Sequence, residues 1–317
     1  MRARRGGIGR RLGLGWRLVV LGLCVGGPAA WAHEGPEHEI EELTAVIEAR
    51  GESADLLLER AVEYLVLGRN REAARDLARA VELNPGSIHA RRELARVQFL
   101  QGEAEAAVTT VTRALKLEAG EAVDRAGLWM LRAEIYRSQK QWRRALADCD
   151  AAIERHPANP EWYLMRSDLQ RRLRQDRKRV EGLEEGLRQT GAGILRIERI
   201  DALLDAKRYR QASTAIEPEL ASARLRGRWL VRRGRARLGM GDTQGGEEDL
   251  RAALAEIDGR LDAHRPDTML LWDRATAQML LGDRVGARRT YEWARERGGD
   301  TELTERLGEL VSGGERR

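Results

Sequence analysis

The chain has 317 residues, with 56 Lys and Arg, 51 Asp and Glu, and a formal net charge of +5. Aromatic residues make up 4%, and runs of β-branched residues with period two are missing, which argues against a sheet. The positive charge does not mark a nucleic-acid binder: Arg2, Arg4, Arg5, Arg10, Arg11 and Arg17 all precede residue 33, and without these six the count is 50 basic against 51 acidic groups.

Residues 1–32 have the three parts of an export signal: a basic start, a short apolar core from Leu18 to Val25, and Ala30-Trp31-Ala32 as a small-residue cleavage site. Cleavage after Ala32 is expected, because the apolar run is well short of the ~20 residues that span a bilayer. The mature chain is then periplasmic or extracellular, without stable membrane insertion. A lipid anchor at Cys24 is the alternative, although Leu23 stands where a small residue is usual. Loss of Cys24 leaves Cys149 as the one cysteine, so no intrachain disulfide is available.

Residues 33–38 (HEGPEH) read as a mobile polar segment, and 39–49 as a short helix with Ile40, Leu43, Val46 and Ile47 on one face. His33 and His38 invite a metal reading. They do not fit the spacing of two histidines four apart on a helix, but the free amine and imidazole of a new N-terminal His33 could chelate copper or zinc. From Ala54 a pattern recurs about every 34 residues, clearest as Leu57, Ala61, Tyr64, Gly68, Ala73, Leu77, Ala80 and Pro85. Each copy reads as one helical hairpin: small residues let two helices approach, the Gly allows a turn with positive φ, and the Pro ends the second helix. One hairpin cannot cover its own apolar face, so copies must stack.

This pattern resembles the tetratricopeptide repeat family. Copies begin at 54, 88, 126, 160, 193, 227 and 268, with a four-residue insertion at Ala122 to Arg125. The copies at 160 and 193 are degenerate, and Arg179 stands where the family has Ala. Residues 302–311 are expected to cap the last hairpin with Leu303, Leu307 and Leu310, followed by a frayed tail. The resemblance implies an all-α fold, a right-handed superhelical solenoid of about seven hairpins over residues 53–301, whose inner groove is lined by the first helix of each pair.

Groove positions in that family fall here on Arg92, Arg96 and Phe99 in the second copy, Met130 and Arg137 in the third, Arg171 and Arg172 in the fourth, and Met269, Trp272 and Met279 in the seventh. They predict an arginine-rich middle and an apolar C-terminal end, suited to an extended protein or peptide partner with acidic and apolar residues. The competing reading is that these arginines are paired with nearby acids. Leu58 and Val62 occupy the first-repeat positions where peptide-binding relatives place Lys and Asn to clamp a carboxylate, so that clamp is not expected. No nucleophile motif, phosphate loop or C-x-x-C is present. The expectation is therefore a non-enzymatic interaction scaffold without a cofactor. The alternatives are a metal-carrying or catalytic protein built on His33, and a membrane-tethered envelope assembly factor.

Overall fold

A computed structural model describes residues 35–313 except 118, 119, 263, 265 and 298–300; the export signal, Cys24, His33 and residues 314–317 lie outside the described residues. The described residues form sixteen α-helices and no strand. Helix α1 (Pro36–Arg50) leads, and seven hairpins follow. They are α2 (Ala54–Val66) with α3 (Asn70–Leu83), α4 (Ile88–Leu100) with α5 (Ala104–Leu115), and α6 (Ala122–Ser138) with α7 (Trp142–Arg155). Then come α8 (Pro160–Arg172) with α9 (Asp176–Thr190), α10 (Ile194–Asp205) with α11 (Tyr209–Ser222), α12 (Gly227–Gly239) with α13 (Thr243–Asp258), and α14 (Thr268–Leu280) with α15 (Arg284–Glu296). Helix α16 (Thr301–Gly313) closes the series. Neighbouring helices pack in chain order, and the first helices α8, α10, α12, α14 and α16 also touch in succession, which puts them on one inner face.

Local signals set the ends. The side chains of Ser53, Ser87, Asp267 and Asp283 accept hydrogen bonds from the opening turns of α2, α4, α14 and α15. Gly68 turns the first hairpin at φ 71°, a conformation other residues adopt at a cost. Pro36 begins α1, where its missing N–H is no loss, so Pro36–His38 form a helical turn instead of the expected polar tail. The insertion Ala122–Arg125 is likewise absorbed as the first turn of α6, which a capping box between Glu121 and Asp124 secures.

The hairpins close through one pair of positions, eighth and twentieth in each copy. Ala61 faces Ala73, and Ala95/Ala107, Ala133/Ala145 and Ala275/Ala287 repeat the arrangement with every member fully buried. In the sixth copy the pair is Gly234 and Gly246, where a Cβ on either would lie 2.9 or 3.1 Å from the carbonyl of the other. The fourth copy solves the contact differently. Arg179, 1% exposed, donates through Nε to Ser167 Oγ at 2.9 Å, so a hydrogen bond replaces the small-small contact. That substitution is why this copy is hard to read from the pattern.

A second regularity runs along the array. The seventh position of six copies is arginine, and each reaches back to the helix that precedes its hairpin. Arg60 and Arg132 form two-point pairs with their own Asp76 and Asp148 at 2.7–2.9 Å while donating to Thr44 and Thr112. Arg166 lies 3.7 Å from Asp150, Arg199 donates to Glu184 at 2.9 Å, Arg233 lies 3.7 Å from Glu217, and Arg274 donates to Asp258 at 2.7 Å. Arg233 also grips its own Asp249 at two points. The seventh position of the second copy is Leu94, so one joint lacks this bridge. Planar guanidinium groups suit such two-point contacts, and each is worth about 1–3 kcal/mol.

Helix α16 packs on the last hairpin through Leu303, Leu307 and Val311. Leu310 packs against the same cluster, as expected, and also borders the inner face; Val311 is a further covering residue.

Candidate functional site: the inner face

The inner face has two unlike halves. Over α2 and α4 it is open. Val66 is 65% exposed and Leu100 58%, at equivalent positions; Val62, also exposed, lies one turn earlier on α2, and Phe99 is half-buried against the core. Among them stands Arg96, whose side chain is 63% exposed, with Glu93 at 3.8 Å. Arg92 is engaged more closely, donating to Glu93 at 3.1 Å.

The sequence-derived groove residues divide accordingly. Arg92, Arg96 and Phe99 share the open half. Arg137 is half-buried and helps hold the Glu134 charge, against the burial that pushes that carboxyl up. Met130 is 6% exposed and lies in the core cluster that continues through Tyr163 and Leu164 of the next hairpin, so it is not a groove side chain. Arg171 and Arg172 both bind Asp168, at 2.6 and 2.8 Å, and Arg172 also lies over the Trp142 ring. Burial pushes the Asp168 carboxyl up, but bonds from Arg172 and Arg171 more than offset it, leaving the group below its ordinary range. These two arginines are paired, as the competing reading of the sequence had it. Met269 is exposed at the start of α14, apart from the others.

Over α8 to α16 the inner face closes into a cleft of about 590 Å³ that includes Arg171, Trp272 and Met279. Its walls carry a network of buried ions. Arg179 donates to Asp205 at 2.6 Å and Glu198 at 2.7 Å, and Arg235 donates to Asp205 at 2.8 Å. Arg232, 4% exposed, donates to Asp201 at 2.8 Å and Asp273 at 3.1 Å. Burial pushes the Asp205 carboxyl up, yet Arg235 and Arg179 together hold it low. Burial outweighs the single Arg232 contact at Asp273 and leaves that carboxyl raised. Arg306 of α16 lies over the Trp272 ring at 5.1 Å. Arg232 and Arg306 were not read as site residues. Arg232 stands at a core-facing repeat position, and Arg306 comes from the capping helix.

Cys149 is buried and its thiol is pushed up to about 12, chiefly by burial, as expected for an inert position. Among the described residues no three metal-ligating side chains converge, and His38 lies 3.3 Å from Glu42 on α1. No helix among them is long and apolar enough to cross a membrane.

An array of antiparallel helix pairs with a lined inner face defines a repeat-built interaction scaffold. Residues 64–135 match the tetratricopeptide repeat family, so that stretch carries tetratricopeptide repeats. A Bos taurus protein, Protein SGT1 homolog, is 26% identical over 142 residues, covering 44% of this chain and 40% of that protein, so the chain spans two fifths of that relative's length. A crystal structure of a tetratricopeptide repeat protein from Parabacteroides merdae superimposes with a TM-score of 0.59 at 17% identity, covering 82% of this chain and 98% of that one. YrrB, a TPR protein with an unusual peptide-binding site, superimposes with a TM-score of 0.50 at 14% identity, covering 59% of this chain and 95% of that one. At these identities the two structures speak for the fold.

Proposed function

We propose that this chain is an exported, non-enzymatic scaffold that grips an extended segment of a partner protein along the inner face of α2 and α4. The observation that carries the proposal is the exposed apolar strip of Val62, Val66 and Leu100 around the open guanidinium of Arg96. Surface side chains of this kind gain most when a partner covers them. An extended segment alternating apolar and acidic residues matches that strip in both respects. A peptide site in YrrB, a protein of the same fold, is consistent with it. The test is crosslinked pull-down from the native compartment. Wild type and Val285→Glu, which alters an exposed valine on the second helix α15, should capture the same partner, whereas Val66→Glu with Leu100→Glu should lose it. Equal capture by the double variant would remove the open strip from the function. Export is tested separately: intact mass of the protein recovered from the cell should correspond to a chain beginning at His33, and a chain retaining residues 1–32 would refute cleavage.

A further inference from the structure

Among the described residues six buried side-chain polar atoms have no hydrogen-bond partner, and three of them, Arg232 Nε, Thr276 Oγ1 and Arg306 Nε, belong to residues lining the one C-terminal cleft. Buried polar groups are ordinarily satisfied, so such a cluster marks a place where something is missing. We propose that this cleft binds a monocarboxylate carried on a compact apolar body, such as an aryl-acetate or a branched short-chain acid. The proposal is independent of partner docking on α2 and α4.

The chemistry of the walls selects that class. Two of the orphan atoms are guanidinium donors and the third is a hydroxyl, so the missing group is an acceptor. Arg306 is the cleft arginine with no ion pair among the described residues, and its guanidinium lies over the Trp272 ring. Of the five lining arginines, Arg171 is matched by Asp168, Arg179 by Glu198 and Asp205, Arg232 by Asp201 and Asp273, and Arg235 by Asp205, which leaves the Arg306 guanidinium to be matched. A single carboxylate matches one guanidinium, whereas a phosphate dianion would overshoot next to the carboxylates already there. The rest of the lining is apolar, from Leu204 and Val231 through Trp272, Met279 and Leu280 to Leu310. A volume of about 590 Å³ is of the size that encloses a small organic ligand. Because Arg306 comes from α16 and Arg232 from α12, the bound acid would tie the capping helix to the sixth hairpin.

Isothermal titration and tryptophan fluorescence with phenylacetate and 4-methylpentanoate test the site on the full chain. At least one acid should bind saturably, and phenylacetamide and inorganic phosphate should not compete. Thr276→Val, which keeps the shape, and Arg306→Met should each weaken binding about tenfold or more while retaining helicity. Arg96→Glu, on the other half, should leave it unchanged. Glycyl-phenylalanine and its C-terminal amide separate the sources of the carboxylate: tighter binding of the free dipeptide points to a chain terminus, and preference for phenylacetate points to a free acid. The proposal is overturned if neither acid binds at millimolar concentration, if the amide or phosphate binds equally well, or if Thr276→Val binds as wild type does, in which case the orphan atoms face only water.

Discussion

The two halves of the inner face are built from the same hairpin yet leave opposite surfaces. Over α2 and α4 the eighth and twentieth positions are alanines, the helices close on small side chains, and the inner positions are left to exposed Val62, Val66, Leu100 and Arg96. Over α8 to α14 small pairs persist in the sixth and seventh hairpins, but Arg179 and Arg232 add charges that are buried and matched by Glu198, Asp205, Asp201 and Asp273. Small-residue packing frees a surface for outside contacts; buried ion pairing spends the inner positions on the fold itself.

The sharpest way to break this contrast is Arg232→Met. It strands two carboxylates, Asp273 nearly fully buried, and should cost about 3–5 kcal/mol in urea unfolding, whereas Arg96→Ala should stay within about 0.5 kcal/mol. Similar losses for both would mean that the halves do not differ. Next is Gly234→Ala. The added methyl meets Leu250 at 2.8 Å and the Gly246 carbonyl at 2.9 Å, so a loss of about 1–3 kcal/mol is expected despite alanine's better helix propensity. The bridge Arg132 to Asp148 is third: Arg132→Met should cost about 1–3 kcal/mol, and Arg132→Lys should recover only part because one ammonium cannot make the two-point contact.

Acid should separate the halves more gently. Asp168 and Asp205 sit below their ordinary 3.8 in the folded chain, so their stabilisation is complete above that pH and is lost as pH falls through the lowered folded values. Asp273 runs the other way. Its raised value means the folded state takes up that proton first, so its contribution grows on acidification and is lost as pH rises. With two carboxyls against one, hydrogen exchange at about pH 3 should show α8–α12 opening more than α2–α5, where the one lowered acid, Glu72, sits in a surface pair with Arg69. Equal protection of both segments would show that the buried network is not acid-sensitive.

Much of the fold was legible in the sequence because steric needs write themselves as small residues at fixed spacing. Ala61 with Ala73 and Ala133 with Ala145 could be read directly. Ser167 with Arg179 could not, since a hydrogen bond there looks like a broken pattern. The bridging arginines stood in one column of the repeat as Arg60, Arg132, Arg166, Arg199, Arg233 and Arg274, a signal present but masked by the arginine richness of the whole chain. For the inner face, helix position alone gave Trp272, Met279 and Arg171 a common surface. It could not tell that Arg171 is held by Asp168, nor that the next hairpin covers Met130, because both depend on how neighbouring hairpins meet. Arg232 and Arg306 were out of reach for the same reason.

The missing rung at Leu94 gives the rod one unlatched segment. Every other arginine clasp ties a hairpin to its predecessor, so bending strain along the array would collect where the first hairpin meets the second, beside the open strip. The end that is free to grip would then also be the end that flexes to admit what it grips, while the clasped remainder serves as a stiff handle.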